Sequence, residues 1–513
     1  MESNRLDSAA RLFVRSFSFE SNTVFSNEEL AKVTAQYTNR QINSGELEEA
    51  RRAVTLHYIN HGYVNSGAVF PDQTPTNGIV MMRIVEGHIS QIEVHGNRWL
   101  SDGFITSRLQ RWDGPPLNVN QLTEGLQLLR ENPSVRQINA ELKPGAAPGE
   151  AVLDARVVDE LPFRVGLQAD NHRPPTVGAE QISLLLADLN LTGNSDALNI
   201  RYGIADTHSG GLDFSGFDNV EGSYALPLNR FDTTIGAHAS KLDTTIIEEP
   251  FRDVNIDSET VSYGGFLRQP FFQTPDHEAA FTIAFDRRQN DSTIAGLPFP
   301  SPGADVNGRM IVAVLRLSQE WLDRSQNQVL ALRSTFNIGL DVLGATDHAY
   351  EPNGQYFSWL GQAQYVRRLF NTQNQLIFRL TGQWTDDPLL ALEQISIGGA
   401  DTVRGYRENT LVRDRGIISS LEFRLPVLFN KAGAGIVDIA PFFDFGGGWN
   451  INGSPEPDKP DTIYSTGVGL LLAPNKHINA QLYWGYRLHH ITTPPDKNIQ
   501  DLGLHFQVNF NLF

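Results

Sequence analysis

From Phe163 onward the chain shows no helical period, and this constrains the fold more than any other feature. Strands of about ten residues alternate apolar with polar positions and are separated by turn-rich gaps. Leu421, Phe423 and Leu425 share one face, and Ser420, Glu422 and Arg424 share the other. Ala480, Leu482, Trp484, Tyr486 and Leu488 oppose Gln481, Tyr483, Gly485, Arg487 and His489. The last strand sets Leu504, Phe506, Val508, Phe510 and Leu512 against His505, Gln507, Asn509 and Asn511. In a soluble sandwich the apolar face would be the core. In a membrane barrel it meets lipid, and the polar face lines a wet lumen. Alternation alone leaves both open.

Length and connections favour the barrel. Residues 161–513 accommodate about 16 strands, at roughly 22 residues per strand and connection, which suits spans of roughly 9–11 residues plus loops. Short connections such as Asn229-Arg230-Phe231-Asp232 and Gln273-Thr274-Pro275-Asp276 alternate with long ones such as Ala295 to Asn307 and Asp386 to Gly416. Short turns on one side and long loops on the other are the outer-membrane pattern, and an even strand number leaves no edge in lipid. Pro227, Pro270 and Pro426 fall at strand ends, where a missing N–H costs little ladder bonding.

Composition removes several alternatives. The net charge of -18 argues against a nucleic-acid partner, whose phosphates need clustered Lys and Arg. There is no cysteine, so neither a disulfide framework nor a thiolate metal site can form. No run of 18 or more apolar residues is present, so no transmembrane helix is expected. Met1-Glu2-Ser3-Asn4-Arg5 lacks a basic-then-apolar leader, so the numbering is expected to start near a mature end.

Before the strands come two α+β units. Residues 1–12 read as a polar lead. Ser26-Asn27-Glu28-Glu29 is a capping-box pattern ahead of Leu30, Val33 and Tyr37. A second helix runs from about Glu46 with Leu47, Ala50, Val54 and Tyr58 on one face, and Gly62 fits its stop. Val80, Met82 and Ile84 then alternate as a strand, giving a first unit over 13–87. The order recurs over 88–160, with strands near Ile89–Val94, Val135–Leu142 and Ala151–Val158 around helices Ser101–Trp112 and Asn118–Arg130.

Within the long loop 386–416, Ser396-Ile397-Gly398-Gly399-Ala400 leads to Val403-Arg404-Gly405-Tyr406. Forty residues after Arg404, Phe442-Phe443-Asp444-Phe445-Gly446 reads as a strand. Asp444 and Phe442 take the lumen phase, and Phe443 and Phe445 the lipid phase, as a carboxylate requires. An arginine fork suits that carboxylate, Gly405 permits a tight tip, and Tyr406 can pack against the wall. Glu422 and Arg424 also point inward. They read as an ordinary lumen-lining pair, with membership of the Arg404 network as the alternative. No catalytic or metal site is expected. His489-His490 would point to opposite faces, His277-Glu278 lacks a second histidine, and Gly433-Ala434-Gly435 lacks the setting of a dinucleotide loop.

Taken together, the chain resembles the two-partner secretion transporters, the TpsB proteins that include the haemolysin and filamentous-haemagglutinin exporters. The resemblance implies two periplasmic α+β POTRA domains (polypeptide-transport-associated) followed by an all-β transmembrane barrel of about 16 antiparallel strands. It places Val403-Arg404-Gly405-Tyr406 at the tip of the sixth extracellular loop, folded into the lumen, and Asp444 opposite it on the thirteenth strand. It implies that this pair holds the loop in one of two positions; a purely structural pair is the alternative. The implied partners are an unfolded, β-rich TpsA-type exoprotein, outer-membrane lipid, and the barrel-assembly machinery that inserts the chain, which the aromatic terminal Phe513 suits. No cofactor is implied. Relatives often carry an N-terminal plug helix, but only about 12 residues precede the first unit, so none is expected here. A barrel insertase and a passive pore remain alternative functions.

Overall fold

The computed structural model describes residues 11–205, 219–249, 251–347, 352–370, 372–451, 460–492 and 494–512. Residues 1–10 of the 1–12 lead and Phe513 lie outside them, and the lead's last residue, Leu12, already opens a strand, Leu12–Val14. Two compact units are present, residues 1–161 with 193–195, and residues 162–192 with 196–513.

In the first unit, strand Ser16–Glu20 runs parallel to Ile79–Val85, which pairs antiparallel with Gly67–Val69. Helices Asn27–Thr34 and Ser44–Asn60 cover one face of this sheet. Leu30, Val54, Tyr58, Val80, Met82 and Ile84 close the core between them. The first helix starts behind Ser26, as its sequence pattern predicts, and the second starts earlier than predicted. Ser26 accepts from the Glu29 N–H without a reciprocal bond, whereas Asn43 and Glu46 form a complete capping box. The second helix therefore begins at Ser44 rather than near Glu46. Gly62 follows its end at φ +94°, a left-handed conformation that favours glycine.

The second three-stranded sheet repeats this order. His88–His95 runs parallel to Glu150–Asp159, which pairs antiparallel with Val135–Pro144. Helices Asp102–Leu109 and Val119–Glu131 pack on it through Phe104, Ile105, Leu109, Leu122 and Leu129. The Asp159 carboxylate receives the Arg98 N–H at 2.9 Å and the Leu100 N–H at 2.7 Å, tying the last strand to the helical entry.

A partly buried polar hub stabilises the first sheet. Glu86 accepts from the Val24 N–H at 3.0 Å, the Tyr58 hydroxyl at 3.1 Å and the Thr23 N–H at 2.7 Å. Partial burial pulls its pKa up, but the Thr23, Val24 and Tyr58 donors outweigh this and hold it below the usual glutamate range. The stabilisation is present above the unfolded value of about 4.3 and is lost as pH falls through the lowered native value. Glu86→Gln in the intact protein is expected to cost about 1–3 kcal/mol locally. Hydrogen exchange of residues 16–20 and 79–85 between pH 3 and pH 6 checks this. Wild-type protection should fall at the acid end, and the variant should already be less protected at pH 6.

The second unit is a closed antiparallel barrel of 16 long strands among the described residues. They are β1 Phe163–Asp170, β2 Gln181–Asp188, β3 Ala197–Ala205, β4 Asn219–Pro227, β5 Thr234–Thr245, β6 Ile256–Gln273, β7 His277–Ile294, β8 Arg309–Arg324, β9 Gln328–Gly339, β10 Phe357–Arg368, β11 Gln375–Thr385, β12 Arg415–Phe429, β13 Gly435–Trp449, β14 Thr462–Asn475, β15 Ile478–Arg487 and β16 Leu504–Asn511. A two-residue strand, Leu297–Pro298, extends the hairpin after β7. Apolar residues such as Leu421, Phe443, Val468, Leu482 and Trp484 are exposed on the outer face. The inner face is polar and of mixed charge: Arg268 on β6 meets Glu278 on β7 and, at 2.9 Å, Glu320 on β8. A wet lumen inside a lipid-facing band accounts for both surfaces. Pro270 and Pro426 sit where the register shifts, at bulges that need no ladder donor. None of the described helices is long and apolar enough to cross a membrane.

Candidate functional site: a loop latched to the barrel wall

Residues 386–414 connect β11 to β12, the sixth long connection. The segment is two residues shorter than expected from sequence, because β12 begins at Arg415. It does not hang free. Ile395–Ile397 pairs with Leu411–Arg413, and Ile395, Ile397, Val403, Tyr406 and Leu411 form a small core against Ile418 of β12 and Ile463 of β14. Val403, Arg404, Gly405 and Tyr406 are at the tip of this hairpin, and all are buried.

Arg404 binds Asp444 on β13 through both prongs, Nε to Oδ2 at 2.8 Å and Nη2 to Oδ1 at 2.8 Å. The Arg404 backbone N–H adds a third bond to Oδ2 at 3.0 Å. Nη1 reaches Glu422 on β12, and Nη2 donates to the Ser420 hydroxyl at 3.1 Å. The guanidinium also stacks over Phe442, 3.7 Å from the ring centroid, and lies 4.7 Å from that of Tyr483. Asp444 is 0% and Arg404 3% exposed, so water does not screen the pair. Every charge has a partner, which is the condition for tolerating such burial.

Glu422 is therefore not part of a separate lumen-lining pair. Its carboxylate takes Arg404 on one oxygen and Arg424 Nε on the other at 2.8 Å, so both residues belong to the Arg404 network. The sequence pattern gave their inward direction but not the arginine descending from the loop.

Glycines set the close approach. Gly405 lies at φ +94°, and a Cβ there would come within 2.7 Å of the Gly485 carbonyl oxygen. A Cβ on Gly485 would equally meet Gly405 Cα at 2.7 Å. Loop tip and β15 thus touch backbone to backbone. Gly446 lies on the Asp444 face, and a Cβ there would stand 2.3 Å from Ile397 and 2.8 Å from Val403. Asp444 binds the arginine, and the glycine two residues on leaves room for the loop's apolar side. Phe443 is exposed on the outer face and Phe445 half-buried; neither touches the arginine in the way Phe442 does.

Several further residues hold the tip. The Tyr406 hydroxyl, with its single proton, lies 2.6 Å from the His489 carbonyl and 3.0 Å from the Tyr464 carbonyl, its two acceptors. Arg487 Nε donates to the Gly405 carbonyl at 2.6 Å, and the Gly405 N–H to His505 Nε2 at 3.2 Å. Arg407 forks onto Asp501 at 2.7 and 2.6 Å and reaches Glu248. The base of the loop is fixed on another arc of the wall. Leu389 and Leu390 pack on Met310, Val312 and Val314 of β8. Glu393 takes Arg316 of β8 at 2.8 Å, and Arg316 in turn holds Asp286 of β7 at 2.8 Å. The inward phase of Gly485, Arg487 and His505 is readable from alternation, but nothing in the sequence assigns them to the loop. Among the described residues no group of His, Asp or Glu is placed to hold a metal ion.

Two helix–sheet units ahead of a closed barrel whose sixth loop is latched to the inner wall define a POTRA-bearing outer-membrane barrel transporter. The family described as haemolysin secretion/activation protein ShlB/FhaC/HecB matches residues 149–472, the ShlB-type POTRA domain matches residues 12–87, and the chain belongs to this family. The outer membrane transporter CdiB of Dickeya dadantii is 24% identical over 470 residues, spanning 90% of this chain and 80% of that protein. The hemolysin transporter protein ShlB of Serratia marcescens is 24% identical over 438 residues, spanning 80% and 72%. The solved structure of CdiB from Escherichia coli superposes with a TM-score of 0.74 at 20% identity, covering 100% of this chain and 92% of that one. The protein is thus an outer-membrane secretion transporter of a non-enzymatic family, with its POTRA units in the periplasm. The long connections after the odd-numbered strands are accordingly extracellular.

Proposed function

We propose that this protein binds an unfolded, β-rich exoprotein of the haemolysin or adhesin type through its POTRA domains, residues 13–87 and 88–160, and passes it through the barrel, residues 161–513, to the cell surface. The carrying observation is the sixth loop, held inside a polar lumen by buried but discrete links. A conduit that must stay shut without a client and open with one needs such an element. Val403, Arg404, Gly405 and Tyr406 form the latch, Asp444 is its wall partner, and Glu422 and Arg424 complete the charge network. Phe442 provides a ring face and Gly446 the clearance, while Phe443 and Phe445 belong to the flanking strand.

The sheet edges Ser16–Glu20, His88–His95 and Val135–Pro144 offer backbone to an extended client, whereas at Gly67–Val69 the Ala68 N–H and carbonyl are already taken by Thr55 and Arg51. The periplasm supplies no ATP, so folding of a repeat-built client outside drives the export. Lipid surrounds the apolar band, and the barrel-assembly machinery inserts it. A second reading, insertion of other barrels, draws on the short ladder between first and last strands, from Gln507–Asp170 to Asn511–Gly166.

The test is secretion of a large, repeat-rich exoprotein, sought among the genes neighbouring this one, with wild type and a POTRA deletion. Client outside the cell for wild type and retained by a normally inserted deletion supports the reading. Retention by wild type, with many other barrels depleted in a null strain, overturns it in favour of insertion.

A further inference from the structure

The barrel closes where β16 meets β1, and this seam is built differently from the others. β6 and β7 pair along their length, from Ile256–Ile294 to Gln273–Glu278. The regular seam ladder stops at Gln507–Asp170, and beyond it the Asn171 N–H makes one further backbone bond, to the Phe506 carbonyl at 3.3 Å. A side chain takes over from there. The Asn171 carboxamide accepts the Phe506 N–H at 2.8 Å and donates to the Leu504 carbonyl at 3.0 Å, standing in for a peptide unit. Asn171 is 0% exposed, so these bonds have no water to replace them.

Two further contacts join the seam to the loop tip. Gln500, also 0% exposed, lies in the connection before β16. Its Nε2 donates to the carbonyls of Asn171 at 2.6 Å and Arg173 at 2.8 Å. Its Oε1 accepts the N–H of Glu408, four residues beyond Arg404, at 3.0 Å. On the other side of the seam, His505 of β16 accepts the Gly405 N–H. The tip therefore holds one residue of the last strand directly and the end of the first through Gln500.

We propose that the docked sixth loop is a clasp across the barrel seam, with Gln500 as the positioning residue that couples the two. Withdrawal of the loop removes one bond on each side of the closure, at the end where the backbone ladder has thinned to the single Asn171–Phe506 bond. Coupling of this kind is reciprocal: what loosens the seam also frees the loop. The inference is independent of what passes through the lumen, and its failure would leave the secretion reading untouched.

The test is hydrogen exchange of the full-length protein in lipid nanodiscs, reading residues 504–508 for the seam, 403–410 for the loop, and 264–286 as a control wall. Correct folding is checked by heat-dependent gel migration. Gln500→Leu removes both arms of the link and is expected to speed seam exchange on the order of tenfold, with the control wall unchanged. Asn171→Asp keeps the acceptor for Phe506 and loses the donor to Leu504. It should speed exchange in seam and loop together, and the loop effect should vanish in the Gln500→Leu background. Seam exchange at the wild-type rate in Gln500→Leu overturns the proposal. So does an Asn171→Asp loop effect that persists without Gln500. If Gln500→Leu fails to fold, Asn171→Asp alone decides, and an unchanged loop sinks the coupling.

Discussion

Arg404→Ala is expected to abolish secretion while leaving a folded, inserted barrel. The substitution strands Asp444, which is 0% exposed and loses its cation, and leaves Glu422, 1% exposed, with Arg424 on one oxygen alone. Breaking a buried pair by removing one partner costs about 3–5 kcal/mol, because the remaining charge stays desolvated. That exceeds the order of 1 kcal/mol ascribed to a solvated lumen pair. The docked loop bears this cost, since the sixteen-strand ladder does not depend on the arginine. Arg404→Lys should fall between, keeping the charge but losing the two-pronged geometry and the ring stacking on Phe442. Secretion assays run beside barrel abundance check this. A fall in abundance that accounts for all lost secretion would make the pair purely structural and defeat the gating role.

Gly485→Val is expected to displace the loop tip from the wall without touching any charged group. The new Cβ would lie 2.7 Å from the Gly405 backbone, which has no side chain to swing away. Overpacking of this kind costs about 1–3 kcal/mol, and here backbone must shift to relieve it. The displaced tip would carry Arg404 off Asp444, so the variant should resemble Arg404→Ala in secretion and in protease access to residues 398–410. Gly382→Ala is the matched control. It sits on β11, where a Cβ meets nothing closer than the Gly416 carbonyl oxygen at 4.0 Å. Equal secretion by Gly485→Val and wild type would show that backbone contact at β15 is dispensable for docking.

Much of the barrel was legible because alternation carries strand phase directly. Exposed Phe443 between buried Phe442 and Asp444 follows from a period of two. Alternating connection lengths likewise report which side of the sheet each turn lies on. The site was harder to read because its residues come from distant strands. Gly485, Arg487, Gln500 and His505 follow the arginine by roughly 80–100 residues, and local pattern gives their face but not their neighbour. Glu422 shows the same limit: its inward direction is periodic, but its sharing between Arg404 and Arg424 depends on how far the loop descends. In the first unit the cap at Asn43 is hard to read from the sequence because the apolar stripe begins only at Leu47, a full turn after the helix starts.

The hairpin within the sixth loop has a mechanical consequence. Because Ile395–Ile397 and Leu411–Arg413 are paired over their own apolar core, the tip cannot be peeled away residue by residue. It behaves as a bolt rather than a rope. A load on the tip falls on the bonds of Arg404, Tyr406 and Arg407 together. Thermal jostling inside the lumen is then filtered out, whereas a sustained pull strong enough to break the set throws the bolt fully.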